Sequence, residues 1–303
     1  MSPFRAGSRR LGPDDAGQEP LWMALDVLAP RTPVPTDEAG AIADARDAGL
    51  EAILGSTTDF LPVGFLDLGR RRAEAVARIV VRQPSPDGPL VHGRGTGFLV
   101  GPDVLMTNHH VLPDIDKARV STVEFKYELD MLGNELDADV WELVPDDLFV
   151  TSPFEELDTT LVRVATKDGR AAGEVYGQVA LRADPRKVAV DEPVCLIQHP
   201  DGRRKEVVLF EAKVKELYQE GFLHYSADTL EGSSGSPVFN VTWDLVALHH
   251  RGVIERDEAG NYQVKDGQYV YTSNEGVRIS AIVDFLRGLP EPQQSAVVPL
   301  LVP

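Results

Sequence analysis

Short apolar segments, separated by Gly, Pro and Asp, fill most of the sequence after about residue 78, and they limit its fold more than any other feature. A first series comprises residues 79–81, 97–100, 104–106, 121–125 and 161–164. A second series, from about residue 188, comprises 193–198, 207–210, 212–217, 222–225, 238–239, 245–248 and 268–271. Many short strands without intervening helices predict a mostly β protein built from sandwiches or barrels.

Segments with helical periodicity flank the β-rich part. Residues 1–20 are rich in Gly, Pro and charge and predict a disordered lead-in, and 21–77 predict a helical extension whose last helix runs over about 65–79. The β series then predict a first domain over 78–175 and a second over 176–288, closed by a helix over 278–286. Residues 289–303 predict a loose tail.

The composition argues against several classes of function. Among 303 residues, Lys and Arg number 30 and Asp and Glu 48, so the net charge is −18. An acidic chain repels phosphate backbones and anionic lipid, so we expect no nucleic-acid and no membrane partner. Without an apolar run typical of a signal peptide or a membrane span, we expect a cytoplasmic protein.

The chain has one cysteine, Cys195, which excludes an internal disulfide framework and a Cys-rich zinc site. A lone cysteine can be a nucleophile. Cys195, however, lies in the strand-like run Pro-Val-Cys-Leu-Ile, where a small buried apolar residue is the better interpretation.

The strongest local motif is Gly-Ser-Ser-Gly-Ser-Pro at 232–237. Its glycines permit a tight turn that presents the hydroxyl of Ser234. The same turn can aim the backbone N–H groups of Gly232 and Ser234 at one point, which is what a developing oxyanion needs. The alternative is an ordinary surface loop.

Two further residues supply the other chemistry that a nucleophilic serine requires. His110 follows a strand and can act as a general base near neutral pH. Asp158 precedes an apolar strand, where a buried carboxylate would fix the histidine tautomer. A surface histidine and a solvated aspartate are the alternatives. The order His, Asp, Ser argues against an α/β-hydrolase, as does Ser236 at the final position of Gly-x-Ser-x-Gly.

Together these motifs resemble the chymotrypsin-fold serine proteases, most closely the bacterial trypsin-like and glutamyl-endopeptidase members. The resemblance covers about residues 78–286 and rests on 95–98, 107–111, Asp158, 232–239 and 246–249. It implies two antiparallel six-stranded β-barrels, a small helical N-terminal extension and a C-terminal helix. It also implies a serine endopeptidase with catalytic His110, Asp158 and Ser234 and an oxyanion hole at Gly232 and Ser234. The family pattern selects His110, which directly precedes Val, over His109.

The resemblance leaves the specificity open. Asp228 matches the acid with which trypsin-type pockets select Arg or Lys, and a buried, uncompensated carboxylate there would favour a basic residue. Thr229 and His249 match positions that bind a substrate carboxylate in glutamyl endopeptidases. An Asp228 that paired with His249 from behind would raise the pKa of that histidine.

No metal and no other cofactor is expected. Neighbouring strand residues point to opposite faces, so neither His109–His110 nor His249–His250 can chelate through both rings.

For the activation of the protein and for its biological role, the only guide is the family resemblance. Ser233 stands where digestive proteases carry an aspartate that pairs with a newly cut N-terminus, so that activation route is missing. The fold is then competent as made, or a partner or the N-terminal extension controls it. Similarity to peptidase modules of multi-domain bacterial proteins implies limited proteolysis of a specific protein target in defence or signalling. The alternative is a silent or latent binding module that needs an activator.

Overall fold

The computed structural model describes residues 60–302. The predicted lead-in over 1–20 and the extension up to residue 59 lie outside the described residues. The described part begins with helix α1 (Gly64–Glu74), in which Phe65 packs on Trp243 with ring centroids 5.0 Å apart.

The first barrel is an antiparallel sheet with the strand order β5-β4-β1-β2-β3-β7-β6. Its strands are β1 (Val76–Gln83), β2 (Leu90–Leu99), β3 (Val104–Thr107), β4 (Thr122–Phe125), β5 (Asp139–Glu142), β6 (Phe149–Ser152) and β7 (Thr159–Arg163). Ala165 N donates to Glu142 O at 2.9 Å and Val144 N donates to Arg163 O at 2.9 Å. These bonds join the ends of β5 and β7 and close a ring of six strands, with β6 beside β7. Helix α2 (Ile115–Val120) lies between β3 and β4.

The second barrel repeats this plan with the order β10-β9-β13-β14-β17-β12-β11. Its strands are β9 (Val194–Gln198), β10 (Glu206–Val208), β11 (Lys213–Tyr218), β12 (Phe222–Ser226), β13 (Pro237–Asn240), β14 (Leu245–Ile254) and β17 (Tyr271–Arg278). Val194 N donates to Ala212 O and Val214 N to Glu192 O, each at 3.0 Å, so β9 and β11 close the ring. A separate hairpin pairs β15 (Val264–Lys265) with β16 (Gln268–Tyr269).

The remaining elements connect or close the barrels. Helix α3 (Ala172–Tyr176) and strand β8 (Leu181–Arg182) link them, and helix α4 (Ile279–Arg287) follows β17. A single cluster of buried apolar side chains includes Leu99 and Met106 of the first barrel and Ile197 and Phe239 of the second. The predicted fold class, two antiparallel barrels with a closing helix, is therefore confirmed. Within residues 60–302 no helix has the length and apolarity to cross a bilayer.

Two local predictions were wrong, and two strands were missed. The helix predicted over 65–79 ends at Glu74, because Val76 to Ile79 are β1 residues paired with β2. Strands β5 and β6 were not predicted, since their polar and charged residues interrupt the apolar pattern. The tail is not loose: helix α5 (Gln293–Val297) buries Val297, and β18 (Leu301–Val302) pairs in parallel with β8.

Candidate active site

His110 lies in the turn that follows β3. Thr107 and Asn108 are buried, and the N–H groups of Val111 and Leu112 both donate to Asn108 O, at 3.3 and 3.2 Å. This turn leaves the His110 side chain 33% exposed. His109 faces elsewhere, as predicted, because its Nδ1 lies 2.8 Å from Thr151 Oγ1.

Asp158 lies just before β7 and is fully buried. Its Oδ2 lies 2.7 Å from His110 Nδ1, and its Oδ1 accepts the backbone N–H of His110 at 2.9 Å. Its carbonyl accepts from Asn108 Nδ2 at 2.9 Å, so both ends of the residue are held. A carboxylate at Nδ1 makes that nitrogen the protonated one and leaves Nε2 as the proton acceptor. The pair is built as a general base.

Ser234 lies in the loop that precedes β13, and two glycines fix the shape of this loop. Gly232 has φ +91° and Gly235 has φ +85°, a region that favours glycine. A Cβ on Gly235 would also overlap Thr96 O. Thr96 binds the loop to the first barrel, since its N–H donates to Ser234 O at 2.9 Å and its hydroxyl to Gly232 O at 2.8 Å.

The backbone N–H groups of Gly232 and Ser234 donate to no other group among residues 60–302. Both carbonyls of these residues are already bound to Thr96, so the loop leaves two unused donors beside a half-buried serine. Ser233 braces the same loop from within: its N–H donates to Leu230 O at 3.0 Å, and its Oγ accepts Leu230 N at 3.1 Å. Two backbone N–H groups without an acceptor, in a loop held in place by hydrogen bonds, can bind an anion such as a developing oxyanion.

A cavity of about 950 Å³ brings the predicted site residues together. Its lining includes His110, Ser234, Asp228, Thr229 and His249. The histidine of the first barrel and the serine of the second therefore face one space.

His249 is one of two buried histidines that line this cavity, and its Nδ1 lies 2.6 Å from the hydroxyl of Tyr225. Burial, with smaller contributions from the neighbouring His250 and His110, lowers the pKa of His249 to about 3. Burial also raises the pKa of Tyr225 well above its usual value. The phenol therefore stays protonated and donates to Nδ1, which leaves the His249 proton on Nε2.

Asp228 does not lie buried on the pocket floor, which overturns the expectation of an uncompensated buried carboxylate. The residue is exposed because the chain leaves the sheet where β12 ends at Ser226, and only its carbonyl is held, by Gln198 Nε2 at 3.0 Å. The expectation that Asp228 raises the pKa of His249 is also wrong, since the partner of His249 is Tyr225. Thr229 donates its hydroxyl to Asn274 Oδ1 at 2.8 Å.

Sequence reasoning missed the roles of two ionisable groups near the site, His250 beside Asp158 and Glu275 beside His250. The Nε2 of His250 lies 3.5 Å from Asp158 Oδ2, and its Nδ1 lies 3.4 Å from Oε1 of the buried Glu275. Burial alone would raise the pKa of Glu275, but the contacts of His250, His224 and Arg251 outweigh burial and lower it to about 2. For Glu275, the sequence feature that could have drawn attention is a charged residue next to Gly276, between the strand predicted over 268–271 and the helix predicted over 278–286.

Cys195 adds no nucleophile to this site. Cys195 is buried, and burial raises the pKa of its thiol to about 12, so the thiolate nucleophile is not formed near neutral pH. Over residues 60–302 no group of three or more His, Cys, Asp or Glu side chains is placed to hold a metal ion.

Two closed antiparallel barrels with a His–Asp pair and a glycine-framed serine in one cavity define the class of chymotrypsin-fold peptidases. The trypsin-like peptidase domain matches residues 95–248, just over half of the chain, and the protein belongs to that family.

The chain is similar to one uncharacterized protein and to proteins that are named as peptidases. An uncharacterized protein of Sinorhizobium fredii, y4fB, is 36% identical over 258 residues, which cover 77% of this chain and 38% of that protein. Glutamyl endopeptidases of Staphylococcus aureus strains MRSA252 and MW2 are each 25% identical over 179 residues, 57% of this chain. That match covers 46% and 50% of the two proteases, so the chain spans half or less of each of these relatives.

Proposed function

We propose that the protein is a serine endopeptidase that cleaves peptide bonds through an acyl-enzyme. The observation that carries this proposal is the doubly bonded His110–Asp158 pair facing the same cavity as Ser234. Membership of the trypsin-like peptidase family supports it.

Each residue has a defined role in the proposed reaction. Ser234 Oγ attacks the scissile carbonyl carbon while His110 Nε2 takes the hydroxyl proton. Buried Asp158 stabilises the imidazolium that forms. The free N–H groups of Gly232 and Ser234 stabilise the oxyanion, and His110 then gives the proton to the leaving amine. Water, activated by His110 in the same way, releases the acyl group.

The proposed site needs no cleavage of the chain to form. Ser233 closes its loop with Leu230, and Thr96 holds the loop on the first barrel. These bonds all lie within the folded chain, and they supply the bracing that a newly cut N-terminus supplies in digestive proteases. The competing function, a latent binding module, would require a loop that an activator has to rebuild.

For the residue before the cleaved bond, we propose glutamate. The pocket holds a neutral His249 that carries its proton on Nε2, and it has no buried carboxylate. The cations Lys215 and Arg251 also line the cavity, as do three carboxylates that are all exposed, those of Glu211, Asp228 and Glu231. The buried N–H donor of His249 suits a carboxylate acceptor, whereas a lysine or arginine would meet no buried anion among the described residues that line the cavity. Similarity to the glutamyl endopeptidases of Staphylococcus aureus supports this choice.

The proposed biological role is limited proteolysis of a specific protein target in bacterial defence or signalling. It rests on the resemblance to peptidase modules of multi-domain bacterial proteins; y4fB, of which the match covers 38%, is likewise much longer than the peptidase domain.

A peptide-library cleavage profile tests the proposed function. We expect cleavage after Glu, with Arg and Lys disfavoured, and no cleavage by the matched Ser234→Ala protein. Cleavage after Arg or Lys would contradict the proposed specificity. Equal cleavage by both proteins would contradict the mechanism itself.

A further inference from the structure

His250 is a buried histidine of β14 whose two ring nitrogens face two different carboxylates. The side chain is 3% exposed, and its ring packs against Phe154 and Phe222 with centroid distances of 4.8 and 6.2 Å. Neither ring nitrogen makes a hydrogen bond within the described part of the chain. Nε2 points to Asp158 at 3.5 Å and Nδ1 to Glu275 at 3.4 Å.

The protonation state of this ring follows from its neighbours. A neutral imidazole has one N–H donor and one lone pair, so it would present a lone pair to one of two buried carboxylates. Only the imidazolium offers a proton to both. An ion pair also acts at 3.5 Å, where a neutral hydrogen bond has weakened.

A count of the charges in this cluster gives the same answer. Asp158 and Glu275 are two anions, and Arg251, whose Nε lies 2.9 Å from Glu275 Oε1, is one cation. Of the other titratable groups that face this cluster, His249 is neutral, and His224 lies between Glu275 at 3.1 Å and Glu216 at 3.4 Å. His110 must give up its proton to act as base. A protonated His250 is the cation that balances the second anion.

We propose that His250 is held as an imidazolium between Asp158 and Glu275 and is a positioning residue of the active site. It fixes the charge and orientation of the carboxylate that orients His110, and Glu275 is its counter-charge. This inference rests on the proposed function, because a positioning role has meaning only if His110 acts as the base.

A positive charge on His250 should widen the pH range of activity on its acidic side. The His250 and His110 rings are 6.5 Å apart, so a permanent cation at His250 favours the neutral form of His110. Removing that charge should move the acidic limb of activity to higher pH. At this separation, and at an effective dielectric constant between those of protein and water, the shift is about one pH unit.

The test is the rate at which a fluorophosphonate labels Ser234 in the full chain between pH 5 and 9, which needs no known substrate. His250→Gln keeps a side-chain N–H donor without the charge, and His250→Leu removes both. We expect both to move the midpoint of the acidic limb up by about one pH unit. His250→Leu should also lower the plateau rate about tenfold, and His250→Gln should recover most of that loss.

His224→Gln is the matched control, because His224 contacts Glu275 but not Asp158, and its acidic limb should stay in place. An unchanged midpoint in a folded His250→Gln protein would overturn the inference. A wild-type protein that is not labelled at all would instead contradict the proposed function.

A second measurement observes the His250 ring of the wild-type protein directly. In ¹⁵N-histidine NMR spectra of the wild-type protein at pH 7, both ring nitrogens of His250 should be protonated, its signals being those absent from His250→Gln. A neutral ring would refute the inference even if His250→Leu failed to fold.

Discussion

His110 and His249 line the same cavity, one from each barrel, and their partners give them opposite properties. The partner of His110 is the buried carboxylate of Asp158 at 2.7 Å, and a third of its own side chain is exposed. The partner of His249 is the phenol of Tyr225 at 2.6 Å, and both rings are buried. An anion prepares the first imidazole to accept a proton. A protonated phenol and a dry site keep the second imidazole neutral.

The comparison teaches that residue type alone does not assign a role in this site. Of two histidines, each within a His-His pair of the sequence, one is the proposed base and the other a hydrogen-bond donor with a fixed proton. The difference comes from residues 48 positions after His110 and 24 positions before His249, which the barrels bring into contact.

The largest effect should come from removing the anion of the first pair. Asp158→Asn should lower turnover by about 10⁴-fold, because an amide can stabilise the wrong tautomer of His110 and cannot balance its charge. Steady-state cleavage of a peptide identified by the library measures this loss. His109→Gln is the control, since His109 contacts Thr151, and it should change turnover less than threefold. Equal losses in the two variants would show that the base is misassigned.

A smaller effect should follow from removing the partner of the second histidine. Tyr225→Phe deletes the donor that fixes the proton of His249 on Nε2, with little change in volume. The preference for Glu over Gln before the cleaved bond should fall about tenfold, the effect of about one hydrogen bond to a charged group. The rate of labelling at Ser234 should stay within twofold. A fall in labelling with unchanged preference would place Tyr225 in the chemistry instead.

The smallest effect concerns pH: activity should depend on pH through His110, whereas the preference for Glu over Gln should not depend on pH through His249. Activity should rise with pH as His110 loses its proton and should then stay level. The pKa of His249 is lowered to about 3, so this ring is neutral above that value and does not titrate between pH 5 and 9. The ratio of kcat/KM for Glu and Gln peptides should therefore be constant over this range. A ratio that falls as pH rises would show that His249 binds substrate as a cation.

The sequence predicted the proposed catalytic residues better than their surroundings. His110, Asp158 and Ser234 lie at strand ends and in a glycine turn, features that short motifs encode. The position of Asp228 depends on where β12 ends. The neutral state of His249 depends on its burial, and the position of its proton depends on Tyr225, a contact between strands that no local pattern shows.

Buried polar strands were the hardest part to predict. No element was predicted over residues 272–277, which lie between the strand predicted over 268–271 and the helix predicted over 278–286 and contain Thr, Ser, Asn and Gly, residues common in turns. They form the inner part of β17 because β12 and β14 pair with both of its edges, and this pairing buries Glu275 beside His250. The closing bonds of both barrels are likewise long-range, so the number of strands in each ring came from the resemblance rather than from residue patterns.

The central claim is that Ser234 is an activated nucleophile in the protein as it folds. Its most direct test is to treat the full chain with a fluorophosphonate at pH 8 and to locate the adduct by mass spectrometry. The account predicts one adduct per chain, on Ser234, without an added activator, and none in Ser234→Ala or His110→Ala. A folded wild-type protein without an adduct on Ser234, or one that reacts only after an activator is added, would contradict it.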